Sequence, residues 1–216
     1  MPPMEPLNFQ VHETGAALDE AEAFLQRVQS RRSVRHFRLN PISLDAVERC
    51  IAAAATAPSG ANKQPWTFVL ITDPKLKRRI REAAELEEHA FYAGRASEQW
   101  LEDLEPLGTG PEKPFLEEAP ALIAVFAQRS GEDGEARHYY VQESVGIAVG
   151  ILLTALHLSG FATLTHTPAP MAFLREILER PRSERPYLLI PVGLPVEGCE
   201  VPAIERKRLD EVLIRR

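Results

Sequence analysis

Pro58-Ser59-Gly60-Ala61-Asn62-Lys63-Gln64-Pro65 followed by Trp66-Thr67-Phe68-Val69-Leu70-Ile71-Thr72 is the stretch that decides the fold. Its first half reads as a Pro/Gly-rich turn and its second half, apolar and rich in β-branched and aromatic residues, as a buried strand. In a doubly wound dinucleotide fold a glycine-rich phosphate turn would open the helix after the first strand. Here the strand instead runs into a charged helix with a polar outer surface, Lys75 to Trp100.

Upstream of the turn, Leu18, Ala21, Leu25 and Val28 recur at helical spacing and predict a helix over Ala16 to Val28. A second helix is predicted from an N-cap at Ser43, with Leu44, Val47, Ile51 and Ala54 inward, ending near Pro58. Residues 1–15 read as a flexible segment. Downstream come a Pro/Gly-punctuated lid (Pro106 to Pro114), a strand (Ala119 to Gln128) and an apolar helix (about Ala136 to Ser159). A short strand (Phe161 to Thr165), the turn Pro168-Ala169-Pro170, a helix (Met171 to Glu179), a strand (Tyr187 to Leu194) and a polar tail follow. Helices and strands without regular β-α-β alternation argue for an α+β domain over 16–216, with a lid at about 84–116.

The chain has 216 residues, 44% hydrophobic and 26% charged, with a net charge of -6. That length supports one large domain with a substantial core. The acidic balance argues against a general nucleic-acid binder. Cys50 and Cys199 make no metal or disulfide spacing, so no metal site is expected and a reducing cytoplasm fits. Met1-Pro2-Pro3-Met4-Glu5-Pro6 has neither the basic nor the apolar region of a signal peptide. Val145 to Leu164 is long enough for a membrane span, but its glycines, Thr154, His157 and Ser159 make a buried core helix the simpler reading. No membrane partner is expected.

Chemistry concentrates in a few places. Arg31-Arg32-Ser33-Val34-Arg35 sets guanidiniums and a hydroxyl close enough to grip a phosphate, although a solvated basic run at a helix C-terminus is the alternative for the motif alone. Gly60 permits close backbone approach to a planar ligand; as a lone motif such a turn is more often an ordinary turn than a site. Thr163-Leu164-Thr165-His166-Thr167 ends a strand with small hydroxyl donors, or with simple β-formers. Glu88 and Tyr92, spaced i, i+4, share a helix face, and Lys113 follows on the lid. Singly each reads as a wet or half-buried surface residue. Together an anion, a hydroxyl and a cation suit an amino-acid zwitterion.

Arg-Arg-Ser-Val-Arg, the Ala57-Pro58-Ser59-Gly60-Ala61 and Gln64-Pro65-Trp66 segments, and Pro191-Val192-Gly193-Leu194-Pro195 resemble, in order and spacing, the FMN-dependent nitroreductase superfamily. The resemblance implies an intertwined α+β homodimer, with a central mixed sheet flanked by helices and FMN at the subunit interface. Arg31, Arg32, Ser33, Val34, Arg35 and Arg206 would then hold the phosphate and ribityl region. Ser59 and Gly60 would reach the isoalloxazine from the partner subunit, while Gly146 and Gly150 would close-pack the apolar helix in the interface.

Within the superfamily, Glu88, Tyr92 and Lys113, with Trp100, Asp103-Leu104, Thr109 and Glu118-Ala119-Pro120 around them, resemble the iodotyrosine deiodinases. That match implies reductive dehalogenation of a halogenated tyrosine, with electrons delivered singly by reduced FMN and halide released. Glu88 would take the ammonium, Tyr92 and Lys113 the carboxylate, and an amide at Ala61 the phenolate. Thr165 would hydrogen-bond flavin N5 as the catalytic residue, and Thr167 would lie beside it. His166, where those enzymes tend to carry a threonine, would set a titratable group near the flavin pyrimidine edge. No pyridine-nucleotide motif is present, which leaves the physiological electron donor unknown. The alternatives are an NAD(P)H-dependent FMN nitro- or quinone reductase, and a flavin- or amino-acid-binding module without turnover.

Overall fold

The computed structural model describes residues 4–131 and 137–216. Two units are described separately, residues 1–31 and residues 32–216. In the first, α1 spans Thr14–Gln29 and buries none of its residues. The described residues before it carry no regular secondary structure.

The second unit is built on a four-stranded sheet. In chain order it contains α2 (Leu44–Ala54), β1 (Trp66–Ile71), α3 (Pro74–Ala90), α4 (Glu98–Leu104), α5 (Phe115–Glu118), β2 (Ala121–Gln128), α6 (Val141–Leu158), β3 (Ala162–Thr163), α7 (Ala172–Ile177), β4 (Glu184–Gly193) and α8 (Leu209–Val212). The sheet order is β1-β2-β4-β3 and every strand pair is antiparallel. The mixed character expected of the sheet is reduced to one isolated parallel bridge, Ser33 with Thr163.

The central strand β2 is buried along nearly its whole length, and its side chains alternate between two cores. Ile123, Val125 and Ala127 join α2 and α6 on one face. Leu122, Ala124 and Phe126 join the cluster that holds Ile80 and Ala84 of α3, Leu116 of α5 and Leu174 of α7 on the other. The sheet is thus the middle of three layers. Gly193 is required where β4 ends, because a Cβ there would meet Pro120 Cδ at 2.7 Å and Phe37 Cδ1 at 2.9 Å.

Several predicted boundaries move for identifiable reasons. Ser43 caps α2 as expected, its hydroxyl accepting from the Ala46 amide. The helix expected over Lys75 to Trp100 is broken. A π-helical turn at Phe91–Arg95 contains Gly94 at φ 158°, and Ser97 then starts α4 by capping the Trp100 amide. The expected strand Phe161 to Thr165 shortens to Ala162–Thr163, because the register brings Leu164 opposite Pro191, which has no N–H to give. Pairing resumes as a single bridge between His166 and Leu189.

The apolar helix was expected from Ala136, which lies outside the described residues. Among those described it starts at Val141, after a left-handed Tyr140. It is also not buried all round. Val145, Ala148, Val149, Leu152 and Leu156 face the core, whereas Ile147 on the opposite side is 46% exposed. Among the described residues α6 is the one helix long and apolar enough to cross a membrane.

Candidate active site

A cavity of about 540 Å³ opens beside the end of β3, with Ser33, Arg35, Glu88, Tyr92, Lys113 and Thr165 to Thr167 in its wall. The segment Arg32 to Arg35 is brought there by two contacts. The Val34 amide donates to the Thr163 carbonyl at 3.0 Å, and Ser33 bridges Thr163 in parallel. Val34 is thereby buried in the core, while Ser33 and Arg35 face the cavity. Burial lowers the Arg35 pKa, with Tyr92 pulling the other way. Its charge persists regardless, because a guanidinium does not deprotonate in a protein. Arg32 turns aside and donates to the Pro202 carbonyl. Arg31 ends the first unit. Arg206 is exposed on the C-terminal segment, outside the cavity wall.

The Glu88, Tyr92 and Lys113 set comes together. Glu85, Glu88, His89 and Tyr92 follow one another at i, i+3, i+4 and i+7, the spacing of one helical face, and each meets the segment 109–113. The Lys113 amide donates to Glu85 at 2.8 Å, and His89 faces Glu112 at 3.0 Å. The Tyr92 hydroxyl donates to the Thr109 carbonyl at 3.2 Å. Lys113 itself is only 3% exposed, with Nζ 3.1 Å from a Glu88 carboxylate oxygen and a further bond to the Gly110 carbonyl. Its Nζ also lies 5.7 Å from the centre of the Tyr92 ring. An anion and neutral acceptors thus surround the buried side chain, which offsets the cost of its burial. Pro114 takes the N-cap position of α5, and Lys113 sits in the turn before that helix.

Phe91 stacks edge-on against both Tyr92, at 5.4 Å, and Trp100, at 4.9 Å, giving the cavity an aromatic wall next to its charges. Phe91 and Glu85 were missed in the sequence. Glu85 carries a usable signal, its i−3 spacing from Glu88; Phe91 carries none, because its place depends on the break at Gly94.

Beyond β3 the chain alternates, with Thr165 and Thr167 exposed and Leu164, His166 and Pro168 buried. His166 is 8% exposed and its ring packs edge-on against Phe115 at 5.5 Å. Burial, aided by Lys113 and Arg35, pushes its pKa down to about 3, so the imidazole is neutral at physiological pH.

The turn at Ser59 stands apart from this cavity wall. Ser59 accepts from the Gln64 amide at 2.9 Å, and a Cβ on Gly60 would meet Tyr140 Cδ2 at 3.0 Å and the Tyr139 carbonyl oxygen at 3.1 Å. Ala61, Asn62 and Gln64 all hold φ near +50°, an uncommon backbone for residues with a Cβ. Ala61 to Gln64 are exposed. Such strain in an exposed loop is characteristic of binding segments.

Known proteins match this chain in sequence and in fold. The sequence model of the nitroreductase family covers residues 28–194. An iodotyrosine deiodinase of Haliscomenobacter hydrossis is 52% identical over 91% of this chain and 90% of its own. One from Drosophila melanogaster is 44% identical over 90% of this chain and 70% of its own. A solved iodotyrosine deiodinase bound to FMN and 3-iodo-L-tyrosine superposes with a TM-score of 0.77, at 32% identity, over 89% of this chain and 97% of that one. A nitroreductase with bound FMN from Bacteroides fragilis, at 18% identity and a TM-score of 0.65 over 89% and 98% of the two chains, shares the fold. The chain therefore belongs to the nitroreductase family, alongside the iodotyrosine deiodinases.

Proposed function

We propose that this protein is an FMN-dependent reductive dehalogenase of halogenated tyrosines, an oxidoreductase of the iodotyrosine deiodinase type. The observation that carries the reading is the pair of the half-buried Glu88 and the buried Lys113 in the cavity wall, 3.1 Å apart. An amino-acid zwitterion matches that pair charge for charge. Its ammonium replaces Lys113 at Glu88, and its carboxylate takes Lys113 and the Tyr92 hydroxyl. No charge is left unpaired, so the exchange avoids the main penalty of opening a buried ion pair. A neutral or singly charged aromatic lacks this match.

The residues present fit FMN. Arg35 offers a partly desolvated cation, Ser33, Thr165 and Thr167 offer hydroxyls, and the buried His166 Nε2 lacks a partner in the same wall. Arg31, Arg32 and Arg206 would supply charge at the phosphate. When bound, FMN supplies the two electrons, in one-electron steps, that with one proton convert 3-iodotyrosine to tyrosine and iodide. The residues of the chain orient and enclose the substrate. Thr165, exposed at the cavity edge, would offer its hydroxyl to flavin N5. The segment 109–113, held to α3 through Glu85 and Glu88 and to the turn after it through Tyr92, keeps water from the charged head group.

The active unit is a homodimer. The half-open apolar side of α6 supplies the interface, and the strained turn brings Ser59 and Gly60 of the partner subunit to the flavin, with an Ala61 amide at the phenolate. Both cysteines are free, which suits the cytoplasm. Residues 16–216 form one functional FMN domain. Electrons come from an external donor, of which NADPH is one class. Titration of the yellow protein with 3-iodotyrosine, followed by flavin fluorescence, tests the reading. Quenching is expected, and is lost with an analogue lacking the amino or carboxyl group. A protein that ignores 3-iodotyrosine but is rapidly reoxidised by nitroaromatics would be a general FMN reductase.

A further inference from the structure

In Gly110-Pro111-Glu112-Lys113-Pro114 the two prolines carry no amide N–H, so few backbone donors can fix this part of the chain. Lys113 is 3% exposed, and its own amide needs a partner from the protein. That partner is the side chain of Glu85, whose carboxylate accepts from the Lys113 amide at 2.8 Å. On the other side the Lys113 carbonyl accepts from the Leu116 amide at 3.0 Å, which ties it to α5. The backbone of the lysine is gripped at both ends, and Nζ reaches Glu88 at 3.1 Å. Glu85 itself is half-buried on α3 and lies outside the cavity wall.

The contacts that hold the segment 109–113 to α3 and to the turn after it are not equivalent once an amino acid binds. Glu88 turns from Lys113 to the ammonium. The Tyr92 hydroxyl, which donates to the Thr109 carbonyl at 3.2 Å, turns to the carboxylate. The His89 and Glu112 pair is left alone, but its side chains are 56% and 69% exposed, and such pairs contribute little. The bond between the Lys113 amide and Glu85 competes with no group of the ligand. We propose that Glu85 is a positioning residue: it holds the Lys113 backbone in the free and the bound site alike, so that Nζ meets the substrate carboxylate while Glu88 and Tyr92 change partners. This deepens the function proposed above and rests on it. A carboxylate suits the task because it binds an N–H more strongly than a neutral acceptor does. Its place three residues before Glu88 sets both carboxylates on one face of the same helix.

The test compares wild type with Glu85→Met, which keeps the length of the side chain without an acceptor, and Glu85→Gln, which keeps an acceptor without the charge. Flavin fluorescence of the FMN-loaded proteins reads the affinity for 3-iodotyrosine and for 3-iodotyramine, which has the ammonium but no carboxylate. Glu85→Met should lose about tenfold or more in affinity for 3-iodotyrosine, and Glu85→Gln no more than about threefold. For 3-iodotyramine neither variant should lose more than about threefold, because Glu85 acts through the group that meets the carboxylate. In ¹⁵N-lysine-labelled wild type, which needs no variant to fold, the Lys113 amide should exchange slowly with solvent, both with and without 3-iodotyrosine. Equal losses for the two ligands would make Glu85 a general support of the fold and overturn the proposal. So would a loss that Glu85→Gln shares in full, or a wild-type Lys113 amide that exchanges as fast as an exposed one. Wild type that holds FMN and ignores 3-iodotyrosine would instead overturn the function on which the proposal rests.

Discussion

Replacing Glu88 by Gln removes one charge from the site with almost no change in shape. The carboxylate lies 3.1 Å from Lys113 Nζ, with side chains 14% and 4% exposed. At an effective dielectric constant of about 20, unit charges at that separation attract by about 5 kcal/mol before desolvation is charged against them. What survives for a charge-assisted hydrogen bond is about 1.5–3 kcal/mol. In the complex the same carboxylate serves the ligand ammonium, so E88Q should weaken 3-iodotyrosine binding by about 10- to 150-fold. FMN affinity should change by less than about threefold, a difference of about 0.6 kcal/mol, since Glu88 serves the amino acid in this account. A double-mutant cycle isolates the contact: wild type and E88Q, each titrated by flavin fluorescence with 3-iodotyrosine and with its deaminated analogue, 3-(4-hydroxy-3-iodophenyl)propionate. The coupling should be about 1.5 kcal/mol or more. Coupling near zero would refute the ammonium contact even if E88Q lowered affinity overall, because the loss would then arise from the stranded Lys113.

Other consequences follow from the same geometry. Lys113→Met should cost a comparable factor in affinity for 3-iodotyrosine and little for an analogue without the carboxylate, as measured by the same titration. Gly60→Ala pushes a Cβ to 3.0 Å from the Tyr140 ring and 3.1 Å from the Tyr139 carbonyl oxygen, so it should destabilise the protein by about 1–3 kcal/mol in a denaturant melt. The folded-state pKa of His166, about 3, lies below the unfolded value of about 6.5. Between those values the unfolded chain binds the extra proton, so stability falls as pH falls, by about 1.4 kcal/mol per unit. Urea unfolding should therefore show His166→Phe losing about 2 kcal/mol less than wild type between pH 7 and pH 5. Ile147→Glu places a charge on the open side of α6 and should convert dimer to monomer in sedimentation velocity, with loss of FMN.

How far the sequence reaches is best judged from single elements. Ser43 and the apolar run Trp66 to Ile71 carry local signals, a cap and a β-forming stretch, and both appear where expected. The spacing of Glu88 and Tyr92 fixes a shared helix face, and the structure adds Lys113 to it. The break of the long charged helix was not legible. A glycine alone costs a helix only about 1 kcal/mol, and the interruption needs Gly94 and the Ser97 cap together. The shortened β3 depends on Pro191 arriving opposite Leu164, a matter of register between distant strands. The left-handed Ala61 and Gln64 are likewise imposed by tertiary structure, since neither residue favours that backbone. Arg32 was read as a ligand residue from its motif, and its bond to the Pro202 carbonyl depends on where the C-terminal segment returns.

The most direct test of the account is a single anaerobic turnover. The purified protein, with its FMN reduced chemically in the absence of oxygen, is mixed with 3-iodotyrosine while flavin absorbance, iodide and tyrosine are followed. One iodide and one tyrosine per flavin reoxidised is the predicted result. Flavin that stays reduced in the presence of 3-iodotyrosine, yet is oxidised at once by a nitroaromatic, would contradict it.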